Sequence, residues 1–257
     1  MNNYSDFFEK MRVAGSLAAR ALDEVTTFVK PGISSNYLDK ICYEFIKDNG
    51  GCSAPLYYRG FPKSICTSAN HIVCHGIPSK KILKENDILN IDITAIINDH
   101  HGDTSRMFFV GDVSVKSKSL VSATYIAMMK AISIIKNGTH LGDIGETIQT
   151  YVEKNGFSVV RDFCGHGIGK IFHEPPNVLH YGKKGDGIKL ETGMIFTVEP
   201  MINVGIYNTK LLNDGWTAVT KDKSLSAQFE HTVGVTDNGF EIFTKSKKNY
   251  EQPPYII

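Results

Sequence analysis

Residues 88–110 read ILNIDITAIINDHHGDTSRMFFV, and this stretch decides the fold. Ile88-Leu89, Ile91, Ile93 and Ala95-Ile96-Ile97 form an apolar, β-branched run suited to a strand. Asn98-Asp99 supplies turn chemistry, and His100 to Val110 forms the return arm. A two-residue turn sets Ile97 opposite His100, Thr94 opposite Asp103 and Asp92 opposite Ser105. Side chains alternate along a strand, so Asp92 and Thr94 share one face while Ile91 and Ile93 enter a core. Asp92 and Asp103 become diagonal neighbours, with Cβ atoms about 7 Å apart or less. Two unit charges 4 Å apart repel by about 4 kcal/mol at an effective dielectric near 20. A proton, a cationic side chain or a metal must offset that. Arg106 should point to the opposite face from Asp103, which leaves a metal as the leading reading. A solvated hairpin with two surface aspartates is the alternative.

Working outward, the N-terminal side predicts a helix from Tyr4 to Val29, ended by Pro31-Gly32. A second helix runs from a Ser34 or Ser35 cap to Lys47 and closes at Asn49-Gly50-Gly51. A loop rich in aromatics and proline, 54–63, leads to a strand-like run ending at Cys74. Beyond the hairpin, helices are predicted over Leu120–Ile135 and Leu141–Lys154. The order of the first half then recurs. Val29–Gly50 aligns with Ile135–Gly156, and Leu83–Asp92 lies over Leu190–Glu199 at nearly the same offset. One catalytic domain over residues 1–257 is expected, built of two similar halves at about 4–112 and 113–245. A pseudo-two-fold between them brings Asp92 and Glu199 to one central cleft.

Composition narrows the class. The chain has 257 residues, 42% hydrophobic and 21% charged, as in globular proteins generally. A net charge of +1 argues against a dedicated nucleic-acid binder. No apolar run is long enough for a transmembrane helix. Met1–Asp6 lacks a basic-then-apolar signal, and the five cysteines are odd in number with no C-x-x-C spacing. Free thiols in a reducing cytoplasm, packed as small core hydrophobes, are expected.

Further positions stand out as chemistry-bearing. His75 sits at a turn, and His166 in the glycine-rich Cys164-Gly165-His166-Gly167-Ile168-Gly169. His173 follows Phe172, Glu199 ends the apolar strand Met194–Val198, and Glu230 lies within another strand, Phe229–Val235. Each has a plain reading: turn, loop or structural histidines, and buried ion pairs for the glutamates. His71, His100, His101, His140, His180 and His231 read as structural. Taken together, Asp92, Asp103, Glu199 and Glu230 carry about four negative charges, which two divalent ions balance. Carboxylates with one imidazole suit Mn, Fe, Co or Zn.

These motifs closely resemble the type I methionine aminopeptidases, of the pita-bread fold, over about Tyr4 to Phe243. The matching segments are Cys74-His75-Gly76-Ile77-Pro78, Asn90-Ile91-Asp92, His101-Gly102-Asp103-Thr104-Ser105, Gly165-His166-Gly167-Ile168-Gly169, Val198-Glu199-Pro200 and Ser226-Ala227-Gln228-Phe229-Glu230-His231-Thr232. The resemblance implies an α+β fold with a central curved antiparallel sheet and helices on its outer face. It implies two divalent ions (Co, Mn, Fe or Zn) held by Asp92, Asp103, His166, Glu199 and Glu230, with Asp103 and Glu230 bridging. It also implies removal of the initiator methionine from nascent chains with a small second residue, through attack of metal-activated water on the first peptide bond. Glu199 matches the general base, and His75 and His173 the catalytic histidines. Tyr58, Phe61, Cys66, Phe172 and Trp216 match the methionine pocket, with His75 and His173 also touching substrate. Asn70 and Ser226 match a monovalent-cation site. Tyr57 and His71 depart from the usual residues beside the pocket and cation loop. The implied enzyme is a cytoplasmic monomer whose partners are nascent N-termini. Because Asn2 is bulky, Met1 is expected to be retained.

Two other readings remain at this level. A proline-directed peptidase of the same fold keeps the ligands and changes the pocket. A non-enzymatic ribosome-associated homologue loses ligands. Lys183-Lys184 and Lys245, Lys247 and Lys248 are either solvated surface or a transient ribosome contact.

Overall fold

A computed structural model describes residues 4–256. Its centre is a nine-stranded antiparallel sheet: β1 (Cys52–Ser53), β2 (Cys66–Ala69), β3 (Asp87–Ile97), β4 (His100–Val110), β5 (Gly165–Gly167), β6 (Glu174–Val178), β7 (Ile195–Val198), β8 (Glu230–Thr236) and β9 (Gly239–Ile242). The order across the sheet is β1-β3-β4-β8-β7-β5-β6, with β2 also paired to β3 and β9 to β8. The β3–β4 hairpin has the expected register: Ile97 faces His100, Thr94 faces Asp103 and Asp92 faces Ser105. Asn98 (φ 50°) and Asp99 (φ 60°) both take left-handed backbone, as a tight primed turn requires. Strand β4 meets β8 through only two residue pairs, Ser105 with Glu230 and Thr104 with His231. That short contact joins strands more than a hundred residues apart in the chain.

Among the described residues, four α-helices pack on the sheet: α1 (Ser5–Val25), α2 (Ser35–Asp48), α3 (Val115–Ser133) and α4 (Leu141–Lys154). Leu17, Leu22, Leu38 and Ile46 of α1 and α2 share a core with Leu89, Ile91 and Ile93 of β3 and Phe108 of β4. Leu120, Met128, Ile144 and Ile148 of α3 and α4 share another with Phe196, Val198, Val233 and Val235. The strand positions between these apolar residues, including Asp92, Thr94, Thr197 and Glu199, therefore face away from the helices. Strand periodicity alone sets a polar inner face against a helical outer one. Arg106 lies on the outer face, as expected. Its Nη1 donates to Asp23 of α1 at 2.7 Å and its Nη2 to the Ala19 carbonyl at 3.1 Å, all buried. Asp23 also accepts from the Ser246 hydroxyl and the Lys247 N–H.

Helix ends differ from expectation in three places. The first helix stops at Val25 and passes into a 3₁₀ turn, Thr26–Phe28, with the Thr26 hydroxyl donating to the Leu22 carbonyl. Ser34 is the cap of α2, accepting from the Tyr37 N–H, and the helix runs one residue beyond Lys47. Helix α3 begins five residues before Leu120 and ends two before Ile135. Ser114 caps it by accepting from Ser117 N–H, a polar start that carries little apolar periodicity. Helix α4 spans Leu141–Lys154 as predicted. All five cysteines are free. Among the described residues, no helix is long and apolar enough to cross a membrane.

Candidate functional site

The inner face of the sheet opens into a cleft of about 410 Å³. Asp92, Asp103, His166, Glu199 and Glu230 all line it, and so do His75 and His173. The hairpin brings two of the acids, β8 brings Glu230, and the end of β7 brings Glu199. Ligand atoms of Asp103, His166 and Glu230 lie within 4.8 Å of one another, all buried. His166 Nε2 stands 3.7 Å from Asp103 Oδ2 and 3.6 Å from Glu199 Oε1.

Each group is held by its strand neighbours. The Thr94 hydroxyl donates to Asp103 Oδ1 at 2.8 Å. The Thr197 hydroxyl donates to Glu199 Oε1 at 2.7 Å and accepts the His166 backbone N–H at 3.0 Å. Gln228 Nε2 donates to Glu199 Oε2 at 3.3 Å. His180 Nε2 accepts the Glu199 backbone N–H at 3.1 Å. His166 Nδ1 donates to the Gly167 carbonyl at 3.0 Å, which turns a bare Nε2 toward the carboxylates.

Burial dominates the electrostatics. It pushes the Asp92 carboxyl up to about 7 and the Glu199 carboxyl, with Asp92 adding, up to about 8. Burial first, and then neighbouring carboxylates, raise Asp103 and Glu230 well above the usual carboxylate range. Burial lowers His166 to about 4, and His75 also falls. Among the described residues, the one base at ion-pair distance from these acids is His166, which is neutral at pH 7. A cluster of buried carboxylates with no lysine or arginine at ion-pair distance among the described residues, facing a bare imidazole nitrogen, has the donor chemistry of a divalent metal site.

Above the acids the wall is aromatic. Phe61 packs edge-on to Trp216 at 5.2 Å, and His75 packs edge-on to Trp216 at 6.2 Å. Phe172 stacks on His173 at 4.0 Å and touches Tyr58 at 4.9 Å. Cys66 is buried in the same cleft. All of the expected pocket residues therefore meet. Asn70 and Ser226 do not line the cleft. They adjoin each other, with the Ser226 N–H donating to the Asn70 carbonyl at 2.8 Å. The Asn70 side chain donates to Asp87 and accepts from Ile88 N–H, and the Ser226 hydroxyl is buried without a partner.

Several residues at the site escaped the sequence reading. Arg59, Asp162, Phe163, Cys164 and Met201 also line the cleft, beside Thr94. His101 stacks on Phe172 at 5.5 Å, and His180, read there as merely structural, holds the Glu199 backbone. The threonines carried a signal: Asp92-x-Thr94 and Thr197-x-Glu199 each put a hydroxyl on the face of an acid, two residues away.

Metallopeptidase family M24 matches residues 9–237. The methionine aminopeptidase of Rickettsia prowazekii is 58% identical over 249 residues, covering 96% of each chain. That of Escherichia coli strain K12 is 51% identical over 241 residues, covering 93% of this chain and 91% of the other. The crystal structure of methionine aminopeptidase from Thermotoga maritima superposes with a TM-score of 0.92 at 40% identity, covering 94% and 98% of the two chains. The α+β pita-bread fold expected from the motifs is thus the fold of this chain. An acid-lined cleft, a family match over most of the length and relatives identical at more than half their positions agree: this chain belongs to metallopeptidase family M24.

Proposed function

We propose that this protein is a methionine aminopeptidase. It removes the initiator methionine from nascent polypeptides whose second residue is small. The observation that carries the reading is the joining, in one cleft, of a buried carboxylate cluster and a pocket walled by Phe61, Phe172, Trp216 and Cys66. Aromatic edges and a thiol suit a thioether side chain. This pocket also favours methionine over the proline-directed alternative.

The residues divide the work. Asp92, Asp103, His166, Glu199 and Glu230 would hold two divalent ions, drawn from Co, Mn, Fe or Zn according to availability. Bound there, the ions would supply Lewis-acid polarisation of the scissile carbonyl and a water acidic enough to attack it. Glu199 takes the water's proton as general base, its two oxygens held by Thr197 and Gln228. His173 donates a hydrogen bond to the oxygen that becomes negative, and His75 contacts the scissile amide nitrogen. The free α-amine sits on the Asp92 side, which restricts cleavage to the terminal residue. Asn70 and Ser226 form a monovalent-cation site, for which the unpartnered Ser226 hydroxyl offers an oxygen. The whole chain acts as one catalytic domain of two similar halves. It works as a monomer in the cytoplasm, with nascent N-termini as its partners. Lys183, Lys184, Lys245, Lys247 and Lys248 are all exposed, and salt-dependent pelleting with ribosomes tests them for transient contact.

The test is cleavage of Met-Ala-Ser against an Xaa-Pro peptide, with and without divalent metal. Wild type cleaves the first in a metal-dependent way. Losing an outer-shell partner at a metal site typically costs about 10–100-fold, so loss of a ligand in Asp103→Ala costs at least about 100-fold. Equal rates for wild type and Asp103→Ala, or preference for Xaa-Pro, overturn the assignment.

A further inference from the structure

One hydrogen bond in the cleft is used neither by the metal ligands nor by the methionine pocket. The Tyr58 hydroxyl lies 3.1 Å from His173 Nδ1. The two rings also lie close, tilted at 34° with centroids 5.4 Å apart. Phe172 stacks on the same imidazole. The Arg59 guanidinium lies 5.3 Å over the Tyr58 ring and has no carboxylate partner among the described residues. The loop that presents Tyr58 holds Tyr57 at φ 66° and Arg59 at φ 46°. Left-handed backbone at two non-glycine residues persists only where the surroundings enforce it, and such strain gathers at functional sites.

A neutral imidazole has one N–H and one bare nitrogen, and the hydrogen bond made at one of them selects the other. The phenol carries a single proton, and among the described residues its hydrogen bond is to His173 Nδ1. If the hydroxyl donates, Nδ1 is bare and the ring proton sits on Nε2. On a five-membered ring Nε2 points away from Nδ1, hence away from Tyr58. His173 lines the cleft, and a substrate carbonyl bound there needs an N–H from it rather than a lone pair. The reverse arrangement, with Nδ1–H donating to the phenol oxygen, leaves a bare Nε2 and no donor for the substrate.

We propose that Tyr58 is a positioning residue, whose hydroxyl holds His173 in the Nε2–H tautomer and so aims a donor at the scissile carbonyl oxygen. Arg59, set over the ring, polarises the phenol and strengthens its donation. The proposal rests on the oxyanion role given above to His173.

Tyr58→Phe tests it, because the ring and the pocket wall stay in place. On Met-Ala-Ser, kcat falls about 10–100-fold, less than the roughly 10²–10³-fold cost of deleting an oxyanion donor. KM stays within about twofold, and bound metal and melting temperature are unchanged. In a His173→Ala background, Tyr58→Phe has no further effect. Nitrogen-15 NMR of histidine-labelled, metal-free protein, with His173→Ala for assignment, shows a protonated Nε2 and bare Nδ1 in wild type and mixed tautomers in Tyr58→Phe. An unchanged kcat, an additive loss in the double variant, or a protonated Nδ1 in wild type overturns the proposal. If wild type fails to cleave Met-Ala-Ser at all, the proposed function falls instead, and the NMR measurement alone decides the tautomer.

Discussion

Thr197 serves two partners with one hydroxyl: it donates to Glu199 Oε1 and accepts the His166 N–H. Replacing it with valine keeps the shape and removes both bonds. A buried N–H left without an acceptor costs about 1–3 kcal/mol, and a proposed general base is freed to turn. We expect Thr197→Val to lower kcat/KM on Met-Ala-Ser about 10–100-fold while circular dichroism stays that of wild type. An undiminished kcat/KM contradicts the positioning role. At this scale the sequence was legible where a charged residue interrupts an apolar strand, because that pattern is costly and local. It was silent on His180, whose one functional contact is a backbone N–H nineteen positions away. Arg59 and Cys164 were equally hidden, since only the folded loops bring them to the cleft.

Between elements, α1 lies directly on β4. A Cβ added at Gly102 would run into the backbone of Ala14 and Gly15, so helix and strand touch without side chains between them. Gly102→Ala therefore forces the two elements apart, next to Asp103. Overpacking of this kind costs about 1–3 kcal/mol, and a denaturant midpoint shifted by that amount is the expected result. An unshifted midpoint means the helix slides at no cost. Elements with strong local signals were readable, as in the hairpin register and the bounds of α4. The start of α3 was not, because its first turn, Val115-Lys116-Ser117, is mostly polar and its cap is a serine amid a loop. The small sheets beside the cleft, such as Met201–Asn203 between Ser226–Gln228 and Ser158–Val159, are two or three residues long, too short for periodicity to register.

Across the whole molecule, Asp23 ties three distant parts together: α1 itself, Arg106 of β4, and the Ser246-Lys247 turn near the C-terminus. Removing one member of a buried, hydrogen-bonded ion pair costs about 3–5 kcal/mol, because the other charge is stranded. Asp23→Ala is expected to lose that much in chemical denaturation, with the Met-Ala-Ser rate of the folded fraction preserved. A loss within 0.5 kcal/mol, typical of surface changes, counts against this reading. No local pattern reveals such a knot. The turn of Arg106 away from Asp103 was foreseeable from alternation, but its partner in α1 was not.

The two-pair seam between β4 and β8 has a temporal meaning as well. Glu230 arrives by way of that seam, 127 residues (230 − 103) after Asp103 in the order of synthesis. Until Glu230 has been made and paired, the proposed metal site stands one acid short.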